Sequence, residues 1–356
     1  MKKLLTVIML IITLIIPQLG CNSQVNNPGI GKSSYHLNTI CTVTIYSMDG
    51  AGDMDEAQQQ KEALQIITDA FSLCDEYEKF LSKTIEDSDV YKINHANGKA
   101  VEVKECTIEV VNKGLEYSRL SEGAFDITIG RVSDLWNFQE MDDQGNHVGV
   151  IPDSAVIADA MKHVDYNCVV VEGSTIRLTD PEAELDLGGI AKGYIADRVA
   201  EFLESEGVTS AVVDLGGNIV VVGEKGESID NPVGAEFSVG IADPNSEGLL
   251  GLVKCKDKTV VTSGTYERYF ELDGKRYHHV LNSETGYPVD TDLLAVTIVA
   301  DKGHSVDCDG LSTSCLALGK EKGLKLIQGL DGVQAIFIDK DGEVTMSDDS
   351  LELITH

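Results

Sequence analysis

The stretch Asp186-Leu-Gly-Gly-Ile-Ala-Lys-Gly193, followed by Tyr194 and Asp197, decides the reading of this chain. An acidic residue closes an extended apolar run, two glycines make a turn, and Lys192 sits where a helix should begin. Glycines permit positive φ and close backbone approach, and a helix N-terminus favours anions. The turn therefore reads either as a phosphate or pyrophosphate cradle or as a tight strand-to-helix turn with a surface lysine. A second copy of the opening, Asp214-Leu-Gly-Gly-Asn218, follows it. No wider self-similarity goes with the pair, so it reflects similar turn chemistry and not a repeat.

Working outward, residues 193–207 read as a helix with Ile195, Val199, Phe202 and Leu203 facing in. Strand signals flank it at 168–172, 210–214 and 218–222, and recur at 39–46, 236–241, 259–262, 268–272, 294–299 and 335–338. Residues 56–81 form a long helix with an apolar stripe of Ala63, Ile66, Ile67, Ala70, Phe71 and Cys74. A second helix runs from 106 to 121, and helical signal returns from 309 to 318 and from 320 to 329. Residues 82–98, 140–149 and 224–235 read as connections. Helices and strands mix without regular βα alternation, so the expected fold is α+β, a two-lobed single catalytic unit.

Two further constellations carry chemistry. In Asp309-Gly-Leu-Ser-Thr313, the acid and the hydroxyl lie one helical turn apart on one face. They read either as hard oxygen ligands suited to Mg²⁺ or as a helix acid with a threonine in the next turn. Thr262-Ser-Gly264, Tyr266-Glu-Arg-Tyr-Phe270 and Arg276-Tyr-His-His-Val280 describe a hairpin closed by Asp273-Gly274. It delivers His278 and His279 to opposite faces, so one can meet a site as a general base while the other packs. Two structural or surface histidines are the alternative.

Length, charge and leader set the context. The 356 residues suffice for a large domain or two fused lobes, and 42% are apolar, so the chain is globular. Acidic residues outnumber basic ones 59 to 28, which excludes a basic nucleic-acid-binding surface. Lys2 and Lys3 precede an apolar run from Leu4 to Ile16, the length of a signal h-region. Gln18-Leu-Gly-Cys21 resembles a lipoprotein cleavage site. The expectation is a signal peptide over 1–20, a diacylated Cys21, a flexible tether over 21–35 and one domain over 36–356. The seven cysteines after Cys21 are odd in number and lack metal-clip spacing, so most are expected as buried thiols.

In this order the motifs resemble the ApbE family, the FAD:protein FMN transferases. The resemblance spans roughly residues 36 to 340. It rests on residues 39–45; Ser82, Ser88 and Asn94; Gly123-Ala-Phe-Asp-Ile-Thr-Ile-Gly130 with Leu135-Trp136; the glycine turn with Asp197; Leu215-Gly-Gly-Asn218; the hairpin; Thr285-Gly286 with Pro288; and Asp309 with Thr313. It implies a T-fold-like architecture with a flavin cleft. It also implies Mg²⁺ held by the Gly189 carbonyl, Asp309 and Thr313. Flavin contacts are implied at Leu37, Thr84, Ala124, Phe125, Asp126, Asp186, Lys192 and His279, with Phe125 packing either on the ligand or in the core. The implied reaction moves FMN from FAD onto a threonine hydroxyl of an acceptor protein and releases AMP. His279 is the base, and Asp309 shares the catalytic work.

The implied acceptor is a subunit of a membrane redox pump carrying a Ser/Thr-Gly-Ala-Ser/Thr-type sequence. The implied setting is the extracytoplasmic side of a bacterial membrane. The chain departs from the family pattern at Leu37-Asn38, where Met-Gly is usual, and at Asn282-Ser283, where Asp-Pro is usual. Thr84 stands near a position that is often aromatic, which leaves FAD hydrolysis to FMN and AMP open. A flavin-binding lipoprotein without turnover is the third reading.

Overall fold

The computed structural model describes residues 29–138, 140–141, 148–225 and 235–355. The signal segment, Cys21 and the start of the tether lie outside them, as do most of the expected loops at 140–149 and 224–235. In chain order the elements begin with β1 (Ile30–His36), β2 (Thr39–Met48), α1 (Glu56–Leu81), α2 (Asp89–Asn94), β3 (Val101–Glu102) and α3 (Glu105–Leu120). There follow α4 (Gly130–Trp136), α5 (Ser154–Ala160), β4 (Val169–Glu172), β5 (Thr175–Leu178), α6 (Ala191–Ser205), β6 (Val208–Leu215) and β7 (Asn218–Val222). The last part contains β8 (Phe237–Ala242), β9 (Leu249–Cys255), β10 (Lys258–Gly264), β11 (Tyr269–Leu272), β12 (Lys275–His278) and β13 (Leu293–Asp301). It ends with α7 (Ser305–Leu318), α8 (Lys320–Gln328), β14 (Val333–Asp339), β15 (Val344–Met346) and β16 (Leu353–Ile354).

The centre is an eight-stranded sheet in the order β1-β2-β6-β7-β10-β13-β14-β15, and its described pairings are antiparallel. Its middle strands bury both faces. Val220 and Val222 of β7 join the core under α1, α3, α6 and α7, while Val221 joins a second core shared with β8 and β9. In β14, Ala335 and Phe337 go to the first core and Ile336 and Ile338 to the second. Double burial explains why these strands read as continuous apolar runs. A third core surrounds the fully buried Trp136, with Val132, Phe138, Ile157, Phe270 and Leu281. It joins α4 and α5 to the β11–β12 hairpin, so a small lobe sits beside the main sheet and the mixed α+β expectation holds.

The helix α1 follows its sequence signals: Asp55 and Gln58 form a capping box, and the buried stripe is the one the periodicity gives. Three differences have local causes. Ile30–His36, expected within the tether, form edge strand β1, whose mostly exposed side chains carry no apolar signal and which is held by backbone pairing to β2. Helix α2 lies inside the expected 82–98 connection, started by the Ser88 hydroxyl, which accepts the Tyr91 N–H at 2.9 Å. Helix α7 begins at Ser305, four residues before the expected start, because its cap comes from another helix. Among the described residues no helix is long and apolar enough to cross a membrane. The seven described cysteines are free thiols, six of them buried and Cys106 half-buried.

Candidate active site

Helices α6 and α7 exchange caps. On α6, Asp197 accepts the Ser305 and Val306 N–H groups at the start of α7, each at 3.0 Å. On α7, Asp309 accepts the Gly193 N–H in the first turn of α6 at 2.9 Å. Neither helix has a side-chain cap of its own, so each satisfies the other's orphan donors. Gly193 makes the approach possible: a Cβ there would stand 2.2 Å from the Ser305 carbonyl oxygen and 2.8 Å from the Asp309 Cβ. Burial pushes Asp197 up to about 6, against the pull of its two N–H donors.

This exchange assembles the oxygens singled out in the sequence. Asp309 is buried, and its second oxygen lies 3.6 Å from Lys192 Nζ. Thr313 sits one turn on, 3.4 Å from Ser263 Oγ, and a Cβ on Gly189 would come 3.6 Å from the Thr313 hydroxyl. No hydrogen bond among the described residues is made to the Gly189 carbonyl. Gly189, Lys192, Asp309 and Thr313 are therefore brought together. Among the described residues no group of three or more His, Cys, Asp and Glu could hold a metal, so any ion here meets mixed oxygens.

The turn itself is fixed from behind. Asn94 pairs with both backbone groups of Leu185, at 3.0 and 2.8 Å, and the Asp186 N–H donates to the Ile127 carbonyl at 2.8 Å. The Asp186 carboxylate accepts from Gly188 N–H at 2.9 Å and from Ser133 at 2.7 Å, and lies 3.1 Å from Lys83 Nζ. Burial opposes its ionisation, but Lys83 and these donors outweigh burial and hold it at about 2. Lys83, Ser133 and Asn94's contact with the turn escaped the sequence reading; one lysine in a charged loop has no distinguishing signal.

Phe125 is buried, with its ring edge 3.0 Å from where a Gly189 Cβ would stand, so it packs behind the turn. Asp126 is also buried. It accepts from the Thr128 N–H and hydroxyl at 2.8 and 2.6 Å and from the Tyr166 N–H at 3.0 Å, so both oxygens serve the loop. Ala124 is half-buried in the same loop. Thr84 is exposed and its hydroxyl lies 3.1 Å from that of Ser82, within its own loop. Leu37 is half-buried, with Asn38 in the two-residue turn between β1 and β2; their φ values are 53° and 56°. The Asn38 carbonyl accepts from Arg268 at 3.4 Å, which ties this turn to the hairpin.

The hairpin pairs Tyr269 with His278 through Leu272 with Lys275, and Asp273 and Gly274 turn it with positive φ. His278 is buried, with Nε2 3.2 Å from the Val289 carbonyl oxygen and Nδ1 without a partner. His279 is half-buried, with Nδ1 3.3 Å from the Arg268 carbonyl oxygen. A carbonyl only accepts, so Nδ1 carries the proton and Nε2 the lone pair. Burial, then Arg268 and His278, push His279 down to about 3. Desolvation of its carboxyl by the surrounding protein pushes Glu267 up to about 7 against the pull of Lys192 and Arg268, although part of the residue reaches solvent. Asn282 replaces the expected carboxylate without loss of order: its amide oxygen accepts the Glu284 and Thr285 N–H groups, and Ser283 donates to the Gly123 carbonyl.

A helix N-terminus, a lysine, a carboxylate and a hydroxyl gathered where α6 meets α7 suit an anionic ligand and its counter-ion, which places the chain among α+β enzymes that handle anionic substrates. The chain belongs to the ApbE family, whose model matches residues 37–337. It is 33% identical over 340 residues to an FAD:protein FMN transferase of Treponema pallidum (strain Nichols), covering 92% of this chain and 89% of the relative. It is 35% identical over 282 residues to an FAD:protein FMN transferase of Klebsiella pneumoniae (strain 342), covering 78% and 83%. The crystal structure of the ApbE protein from Thermotoga maritima superposes with a TM-score of 0.75 at 27% identity, covering 89% of this chain and 96% of that one. The apo form of the Pseudomonas stutzeri flavinyl transferase ApbE gives 0.73 at 29% identity, covering 90% and 96%.

Proposed function

We propose that this chain transfers FMN from FAD to a threonine hydroxyl of an acceptor protein in a Mg²⁺-dependent reaction that releases AMP. The reading rests on the family and on one observation: Asp309 meets the first turn of α6 beside Lys192 and one turn before Thr313, whose side chain Gly189 approaches. The residues fit a hard divalent cation, since a buried carboxylate, a hydroxyl and a carbonyl are oxygen donors suited to Mg²⁺. Bound there, Mg²⁺ neutralises pyrophosphate charge and supports departure of AMP.

The chain's own residues do the rest. Lys192 and the α6 N-terminus attract the pyrophosphate of FAD. The Nε2 lone pair of His279 accepts the proton of the attacking threonine hydroxyl. The threonine oxygen bonds to the phosphorus on the FMN side, and the bond from that phosphorus to the bridging oxygen of AMP breaks. Neutral at physiological pH, His279 is ready to accept; beside a pyrophosphate its basicity rises, because the imidazolium is then paired.

One observation favours a second reading, FAD pyrophosphatase. Thr84, near a position that is often aromatic in relatives, is small and exposed, and a threonine in place of a ring excludes less water from a bound substrate. The protein is incubated with FAD, Mg²⁺ and an acceptor domain containing a Ser/Thr-Gly-Ala-Ser/Thr sequence. An FMN mass increment on its threonine supports transfer. FMN and AMP without modification support hydrolysis, and intact bound FAD indicates a carrier. The leader supports export and anchoring of the protein through lipidated Cys21 on the extracytoplasmic side of a bacterial membrane. Cys21→Ser should move the protein from the membrane fraction to the soluble one; unchanged partition rejects the anchor.

A further inference from the structure

The loop after α1 sends one lysine into the back of the glycine turn. Lys83 Nζ donates to Gly130 O at 3.0 Å, Ser133 Oγ at 2.6 Å and Asp134 Oδ1 at 2.6 Å, and it lies 3.1 Å from Asp186 Oδ2. Its side chain is 11% exposed. A buried ammonium is costly unless every proton finds an acceptor, and here four acceptors surround three protons. The contacts come from two places, helix α4 and the glycine turn, and Lys83 joins both to the loop after α1.

We propose that Lys83 is a positioning residue for flavin transfer, clamping the Asp186 carboxylate so that the glycine turn holds Gly189 beside Thr313. The proposal rests on the functional reading above. The Asp186 backbone is already fixed by Ile127 and, one residue earlier, by Asn94. Among the described residues one oxygen of its side chain is held by Ser133 and Lys83, and the other accepts the Gly188 N–H that directs the chain into Gly189. Without Lys83 the Asp186 carboxylate and Asp134 of α4, which share that ammonium, are left with no cation between them. Glu184 reports the same field: burial and Asp134 push its carboxyl up, and Lys83 pulls it down. Asp186 would then swing away from its neighbours or take up a proton, and either change releases Gly188.

The test compares Lys83→Met and Lys83→Arg with wild type. FAD affinity is read by flavin fluorescence with Mg²⁺, kcat and KM are measured across pH 4.5–8, and the Tm of the free protein is recorded. Lys83→Met is expected to weaken FAD binding and raise KM by about 10- to 100-fold, the usual range for groups behind a ligand shell, with a smaller fall in kcat. The low-pH limb of kcat/KM should move to higher pH, because Asp186 loses the cation that keeps it ionised. Lys83→Arg should recover most of the affinity.

A Tm loss in Lys83→Met with KM and the acid limb unchanged overturns the proposal, as does a Lys83→Arg variant as defective as Lys83→Met. If Lys83→Met does not fold, the pair Lys83→Met with Asp186→Asn leaves no unpaired buried charge. It should still lose FAD affinity, and wild-type affinity in that pair also overturns the proposal. Wild-type protein that binds no FAD with Mg²⁺ defeats the functional reading instead, and this inference with it.

Discussion

Gly193→Ala tests whether the crossing of α6 and α7 builds the site. A new Cβ would sit 2.2 Å from the Ser305 carbonyl oxygen, 2.7 Å from its carbon and 2.8 Å from the Asp309 Cβ. The first contact is roughly 1 Å short of even a tight C···O approach, and two of the three atoms are backbone, so the helices must separate. Overpacking costs about 1–3 kcal/mol. Separation also breaks the bond from Gly193 N–H to the Asp309 carboxylate, a charge-assisted bond of about 1.5–3 kcal/mol. Alanine returns about 1 kcal/mol of helix propensity. The net is a destabilisation of about 3 kcal/mol, read as a Tm lower by roughly 6–12 °C. Gly52→Ala is the control, because nothing lies within 4 Å of its added Cβ. Turnover, measured at a temperature where the variant remains folded, should fall further than the folded fraction, since Asp309 moves with α7. A variant with wild-type Tm and wild-type turnover would show that the close approach does not matter and would refute the reasoning.

Asp309→Asn keeps an oxygen for the Gly193 N–H but loses the charge; Tm should change little while Mg²⁺-dependent turnover falls by about 10²-fold or more, and unaltered metal dependence removes Asp309 from the ligand set. His279→Ala should slow transfer by about 10²–10⁴-fold with FAD affinity nearly intact, and the same pattern from His278→Ala instead would put the base on the other face of the strand. Burial pushes His278 down to about 4. Its folded-state value lies below the unfolded one near 6.5, so the stability it contributes is present above about pH 6.5 and is lost as pH falls toward 4. His278→Gln should therefore lose less stability than wild type between those values, and urea midpoints that fall in parallel reject the assignment.

The sequence was most legible where one segment determines its own structure. The α1 stripe from Ala63 to Cys74 and the Asp273-Gly274 turn could be read because helical period and turn chemistry are local. So could the spacing of Asp309 and Thr313, one turn apart on α7. What escaped depends on contacts between distant segments. The start of α7 was placed late because no residue near Ser305 caps it; the cap is Asp197, 108 positions earlier. Lys83 reads as any lysine in a polar loop, and its partners are distant in sequence: Gly130, Ser133 and Asp134, 47 to 51 positions on, and Asp186 further still. The bonds from Thr128 and Tyr166 to Asp126 likewise close a loop across 40 positions and carry no signal in the sequence.

The exchanged caps explain why one carboxylate can be both scaffold and reagent. Asp309 must be buried to meet α6, and a buried carboxylate is stable only with donors or a cation beside it. One oxygen takes the Gly193 N–H; among the described residues the other is nearest a cation at Lys192, 3.6 Å away and beyond hydrogen-bond reach. That oxygen therefore has room for a further cationic partner, at the place where Gly189 of the turn comes close to Thr313 of α7. A divalent cation would complete the local charge balance and stabilise the crossing of the two helices. Mg²⁺ is accordingly expected to raise the Tm of wild-type protein and to have a smaller effect on Asp309→Asn. The second glycine turn offers no such vacancy: the Asp214 carboxylate accepts from its own turn at Gly217 N–H, and Gly216 closes against Thr39. Two turns with the same opening letters thus differ in chemistry because only the first one meets a second helix.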